Sequence, residues 1–210
     1  GALLAYMLGF SFAYVSLDTG VGALILFGGV QITMFAGAVI ARESVSRLKW
    51  IGALVAASGL AWFLWPTPDA EISLTGAGLM GIAALGWGIY SLMGRGAENA
   101  TAETAANFTL AAPFSLLALF ALAPNVTFEG FVLACLSGIV TSGLGYALWY
   151  AVLPRLASST AAVAQLSVPI FATLGGVAFL SEDLTLRFVM AALIVLGGIG
   201  LSVVKPRSVR

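Results

Sequence analysis

The sequence predicts an all-α membrane protein, a polytopic helical bundle assembled from inverted repeats. Three observations carry the prediction. Hydrophobic residues make up 60% of the chain and charged residues 9%, with a mean hydropathy of +1.06, whereas a soluble domain carries about 25% charged residues. The apolar residues fall in runs of about 18 to 23, the length that crosses a hydrocarbon core at about 1.5 Å per residue. The chain also matches itself at an offset of 139 positions, Ala162 against Ala23. Strands of a membrane barrel would alternate apolar and polar residues over about 10 positions, and no such alternation is present.

Eight spans follow, at 1–16, 20–41, 48–66, 74–93, 104–123, 130–152, 159–181 and 186–204. Each is bounded by a polar or Gly/Pro-bearing connection: Ser16 to Thr19, Arg42 to Arg47, Pro66 to Ser73, Gly94 to Glu103, Pro124 to Glu129, Pro154 to Ser158, and Ser181 to Thr185. These connections are too short to hold a soluble domain. Lysine and arginine are retained on the cytoplasmic side during insertion. With eight alternating spans, Arg42, Arg47, Lys49, Arg95, Arg155, Lys205, Arg207 and Arg210 all fall on one side and Arg187 alone on the other. The C-terminus is therefore expected in the cytoplasm. Asp18, Asp69, Glu71, Glu129, Glu182 and Asp183 collect on the far side.

The internal match aligns Gly37 with Gly176, Glu43 with Glu182, Ala53 with Ala192, Leu54 with Leu193 and Gly59 with Gly198. Each copy reads as a small-residue-rich helix, a Glu at its polar exit, a turn and a second apolar helix. An odd number of helices separates the copies, so they are inverted. Inverted repeats meeting at the bilayer midplane are the architecture of many secondary transporters. With a five-helix unit, residues 74–204 form one complete repeat, residues 1–66 the last three helices of another, and 205–210 a cytoplasmic tail. Eight of an expected ten helices are then present, with two expected upstream of Gly1.

Two motifs resemble a known family. Ala41-Arg42-Glu43-Ser44 with Trp50-Ile51-Gly52-Ala53-Leu54 and Gly59, and Gln165-Leu166-Ser167-Val168-Pro169 with Leu180-Ser181-Glu182-Asp183-Leu184 and Gly197-Gly198, resemble the end of the EamA-type repeat of the drug/metabolite transporter superfamily. Trp87-Gly88-Ile89-Tyr90-Ser91 and Tyr146-Ala147-Leu148-Trp149-Tyr150 resemble further helices of that family. The resemblance covers nearly the whole chain. It implies ten helices, a central cavity between two halves, residence in the bacterial cytoplasmic membrane and transport of amino acids, nucleotide-like metabolites or drugs, commonly outward. The first repeat departs from the pattern, with Val30-Gln31 where the family often has proline.

Polar side chains inside spans are costly and usually face the bundle interior or a wet cavity. Gln31 and Thr33, Thr141, Ser142 and Tyr146, and Gln165 and Ser167 are such residues. Gln31 and Gln165 sit near corresponding places in the two repeats, and an amide both donates and accepts; interhelical bonding is the competing use of both. Pro169 lacks an N–H and clashes with the carbonyl of Gln165, so it should kink the seventh span and free a backbone acceptor, whereas Pro113 in the fifth is read as packing. Trp87, Tyr90 and Ser91 share a helix face and could wall an apolar or cationic molecule. The expected substrate-binding set is thus Gln31, Trp87, Tyr90, Tyr146, Gln165 and Pro169.

Other features have plainer readings. Trp50, Trp62, Trp65, Trp149 and Tyr150 lie near span ends and are expected in an interfacial belt. Ala134, Gly138 and Ser142 recur every four residues and are expected to form a packing stripe. Glu43 and Glu182 are expected to cap turns or pair with Arg47 and Arg187. Gly76-Ala77-Gly78-Leu79-Met80-Gly81 has the spacing of a dinucleotide-binding turn, but that turn needs a preceding strand in a soluble βαβ unit.

Nine basic and nine acidic residues give a net charge of +0, histidine is absent, and Cys135 stands alone. No nucleic-acid partner, internal disulfide, metal or cofactor is expected, and no nucleophile with a base suggests an enzyme. The expected partners are the lipid bilayer, a small-molecule substrate and a second copy of the chain. The reading is a secondary carrier or exporter working by alternating access, with a channel-like facilitator or a non-transporting scaffold or receptor as its rivals.

Overall fold

The computed structural model describes residues 1–66, 73–122, 127–180 and 183–204. Asp69, Glu71, Glu182 and the tail 205–210 lie outside the described residues. The described chain is helical throughout: α1 (Ala2–Ala13), α2 (Thr19–Ile40), α3 (Arg47–Phe63), α4 (Leu74–Gly94), α5 (Ala100–Leu122), α6 (Phe128–Leu136), α7 (Gly145–Val152), α8 (Ser158–Gln165), α9 (Val168–Leu180) and α10 (Leu186–Val203). A π-helical stretch, Ser137–Leu144, joins α6 to α7, so the sixth span runs as one rod from Phe128 to Arg155. Among the described residues six spans are long and apolar enough to cross a membrane; α3, with 17 residues, and α1, with 12, are shorter.

Local chemistry sets the ends. Ser46, Ser73, Thr127 and Thr185 each accept a bond from a backbone N–H in the first turn of α3, α4, α6 and α10. Gly76 N–H is the one held by Ser73, so the glycine-rich run opens a capped membrane helix and does not form a nucleotide-binding turn. α5 passes through Pro113 as a single helix.

Without a hydrophobic drive between helices in lipid, close van der Waals approach decides the packing. α3 lies along α10, α1 and α2 flank α4, and α2 meets α8. Two crossings depend on glycine. A Cβ at Gly52 would come within 2.5 Å of the Gly198 carbonyl, and one at Gly198 within 2.6 Å of the Gly52 carbonyl, so α3 and α10 touch backbone to backbone. On α4, a Cβ at Gly86 would lie 2.7 Å from Tyr6 N.

The sixth span departs from expectation. Ala134 and Gly138 are exposed, and a Cβ at Gly138 would meet nothing within 4 Å. Every residue from Phe128 to Thr141 is exposed, so none of the described helices buries this stretch on any face. Thr141, expected on an inner face, is exposed and bonds its own helix at the Ser137 carbonyl, 2.6 Å.

Candidate functional site

An aromatic column runs through the bundle between α1, α4, α5 and α7. The Tyr6 ring lies 4.8 Å from Trp87, Trp87 lies 4.9 Å from Tyr146 and 5.6 Å from Tyr90, and Tyr90 lies 4.5 Å from Tyr150. Phe108 closes the side at 5.6 Å from Tyr146. The contacts follow from helical spacing, since Trp87 and Tyr90 on α4 and Tyr146 and Tyr150 on α7 each share a face. Each such ring pair contributes about 0.5–1.5 kcal/mol beyond its buried area.

The column ends on the seventh span, at its break. α8 stops at Gln165 and α9 starts at Val168, one residue before Pro169. Leu166 N–H reaches back three residues to Val163 O (3.1 Å), and Ser167 N–H does the same to Ala164 O (3.1 Å). In an unbroken helix Leu166 would donate to the Ala162 carbonyl. That carbonyl is released and instead accepts from Gln31 Nε2 at 3.0 Å. The carbonyl that Pro169 itself leaves without a helical donor is that of Gln165; the break reaches one turn further back, and the acceptor that α2 holds is Ala162 O.

Gln165, buried, stands at the junction. Its Oε1 accepts from the Trp87 indole N–H, and its Nε2 donates to Met34 Sδ (2.9 Å) and to Ala161 O (3.4 Å). One amide thus links α8 to α4 and α2. Gln31 Oε1 and the Tyr90 hydroxyl are buried with no hydrogen-bond partner among the described residues. An unmet buried polar group costs about 1–3 kcal/mol, so each of these atoms would gain from a polar ligand.

The six expected residues therefore cluster around one junction, but not around one open cavity. An apolar groove of about 330 Å³ between α2, α3 and α8 is lined by Gln31, Phe35, Trp50 and Leu166. A more polar pocket of about 210 Å³ is lined by Tyr90, Tyr150, Glu103 and Asn107. Trp87, Tyr146, Gln165 and Pro169 line neither cavity; the centre is closed by its own side chains.

Three expectations need correction. Tyr150 is 2% exposed and donates to the Tyr90 carbonyl at 3.2 Å, and Trp149 donates to Ser91 Oγ at 3.1 Å. Both belong to the interior because α7 ends beside α4, whereas Trp50, Trp62 and Trp65 remain exposed at the ends of α3. The four-residue spacing of Tyr146 and Tyr150 was the signal for the first. Glu43 pairs with Arg95, not Arg47, at 2.6 Å, because the chain reverses after α2. Arg187 donates to the carbonyls of Trp62 and Trp65, closing the end of α3; Glu182, its expected partner, lies outside the described residues.

Residues 74–204 match the EamA-like transporter family. An uncharacterized protein of Pseudomonas aeruginosa is 44% identical over 208 residues, covering 98% of this chain and 72% of that protein. An uncharacterized transporter of Archaeoglobus fulgidus is 25% identical over 192 residues, covering 88% of this chain and 68% of that one. A crystal structure at 20% identity has the same fold, with a TM-score of 0.82 over 97% of this chain and 73% of its own.

Proposed function

Because the chain belongs to the EamA-like transporter family, we propose that it is a secondary transporter that moves small amino-acid-like or drug-like metabolites outward across the cytoplasmic membrane by alternating access. The observation that carries this reading is the junction at Gln165: one buried amide joins the aromatic column, the broken span and α2, which belongs to the other repeat. The bonds there are interhelical in the closed centre, and a substrate would exchange them for its own. Gln31 Oε1 and the Tyr90 hydroxyl, both buried without partners, would accept from or donate to a neutral or zwitterionic polar group, while Trp87 and Tyr146 wall its apolar part. Pro169 keeps the break open.

Flux of labelled amino acids and cationic drugs in proteoliposomes containing the full-length protein tests this. A carrier shows saturation and counterflow; linear, non-saturating flux would make it a channel-like facilitator, and no flux would make it a scaffold or receptor. Gln165→Leu should lower transport about tenfold or more, the loss of roughly 1.5–3 kcal/mol of substrate contact, while the protein still folds. Unchanged transport in that variant would remove the junction from the site.

A further inference from the structure

We infer that Glu43 is the positioning residue that latches the cytoplasmic end of the transport path shut, by holding the end of α2 against the ends of α4 and α8. The inference rests on the alternating-access reading above. It starts from the way α2 stops. Arg42 takes a left-handed conformation, φ 54°, its N–H bonds Val39 O at 3.0 Å, and Glu43 N–H bonds Ala38 O at 2.9 Å. That pair of bonds is a Schellman turn, and it sends the chain back toward the bundle. A non-glycine residue at positive φ is uncommon, and here it aims the next side chain inward.

Glu43 Oε1 then accepts from Ser158 N–H at 3.1 Å, from Ser158 Oγ at 2.9 Å and from Arg95 Nη1 at 2.6 Å. The carboxylate therefore caps the first turn of α8, where the helix dipole favours negative charge. Arg95, just past α4, also donates to Leu156 O at 3.1 Å and Ser158 Oγ at 2.6 Å, and Lys49 Nζ reaches Ser159 Oγ at 3.2 Å. Ser158 and Ser159 are 0% and 1% exposed. Among the described residues Glu43–Arg95 is the one ion pair. It joins residues on opposite sides of the boundary between the repeats, the contact that must break when the halves part.

The latch sits over the column. Gly94, next to Arg95, packs so closely on Tyr150 and Leu153 that a Cβ would lie 2.7 Å from Leu153 and 2.8 Å from Tyr150. Lysine and arginine retention places this end in the cytoplasm. Charged partners suit a gate because water can receive both when they separate, and Glu43 Oε2, buried without a partner, keeps the closed arrangement incompletely satisfied.

The test is thiol labelling in the full-length protein with Cys135→Ser and a reporter at Ser91→Cys, a position 0% exposed beneath the latch. A membrane-impermeant maleimide is applied to inverted vesicles and, separately, to right-side-out vesicles. The expected result is slow labelling with Glu43 present and at least about fivefold faster labelling from the cytoplasmic face in Glu43→Ala, with Glu43→Gln in between. Fast labelling with Glu43 present, no change in Glu43→Ala, or an equal rise from both faces, which marks general loosening, would overturn the latch. Should Glu43→Ala not fold, Arg95→Gln is measured in the same way and by the same criteria. Labelling does not require flux, so a protein that transports nothing yet shows the one-sided change would fail the transport reading and not the closure.

Discussion

At the 139-residue offset of the internal match α2 lines up with the α8–α9 pair, yet one is an unbroken helix of 22 residues and the other breaks near its middle. At the repeat offset, 169 − 139 = 30, so Pro169 stands against Val30. Valine supplies the N–H that continues the ladder; proline removes it and crowds the carbonyl four residues back. The difference sets a broken segment beside an unbroken one, whose Gln31 side chain takes the Ala162 carbonyl left open next to the break. The two matching segments are thus complementary in this structure, and Gln165 of the broken one also meets Trp87.

The largest effect is expected from making the copies alike in the damaging direction. Val30→Pro would break α2 at a position 1% exposed, where proline inside a helix costs about 3 kcal/mol or more. For a domain of this size that lowers Tm by about 10 °C, read by thermal unfolding in detergent. A shift of only a degree or two would mean that α2 is held straight by its neighbours and not by Val30.

Making the copies alike in the other direction should have a smaller effect of opposite sign on stability. Pro169→Ala removes the ring that crowds the Gln165 carbonyl and gives that carbonyl an N–H, so the helix can run through and Leu166 can turn to the Ala162 carbonyl in place of Gln31. Stability is expected to rise by about 1 kcal/mol, or about 3 °C, while transport slows. Hydrogen exchange at the Leu166 and Ser167 amides gives the direct check: slower exchange with slower transport supports the break as a working part, and slower exchange with unchanged transport reduces it to a packing detail.

These pairs also show what a one-dimensional sequence carries. A membrane span must satisfy its own backbone bonds over about 20 apolar residues, so Thr19–Ile40 and Leu74–Gly94 were legible almost to the residue. The break was legible because proline acts on its own helix. Tyr150 was legible only through its four-residue spacing from Tyr146, since its partner on α4 lies sixty residues away and a tyrosine at a span end otherwise looks the same inside or at the interface. The stripe of Ala134, Gly138 and Ser142 has the spacing of a packing face, but whether a helix lies against it is a matter of tertiary placement, and Phe128 to Thr141 are exposed all round. Glu43 was visible as a boundary acid, but its partner at Ser158 lies 115 residues on.

The smallest effect concerns that same tie between the end of α2 and the start of α8, and it depends on pH. Burial alone would raise the Glu43 pKa, but the Ser158 backbone N–H and hydroxyl and the Arg95 charge outweigh it and hold the carboxyl below its ordinary value of 4.5. Arg95 from α4 and Lys49 from α3 are the charged groups bonded into the cluster. A group with a depressed folded pKa contributes stability that is fully present above its unfolded value and is lost as pH falls through the folded one. The tie is therefore complete at neutral pH and fades only below 4.5. Tm measured downward from about pH 6 should fall more steeply in the unsubstituted protein than in Glu43→Gln, which has no carboxylate to protonate. Parallel curves would show that the carboxylate's charge does nothing for the junction, and would leave the mid-helix bonds, Gln31 to Ala162 and Gln165 to Met34, as what holds α2 to α8.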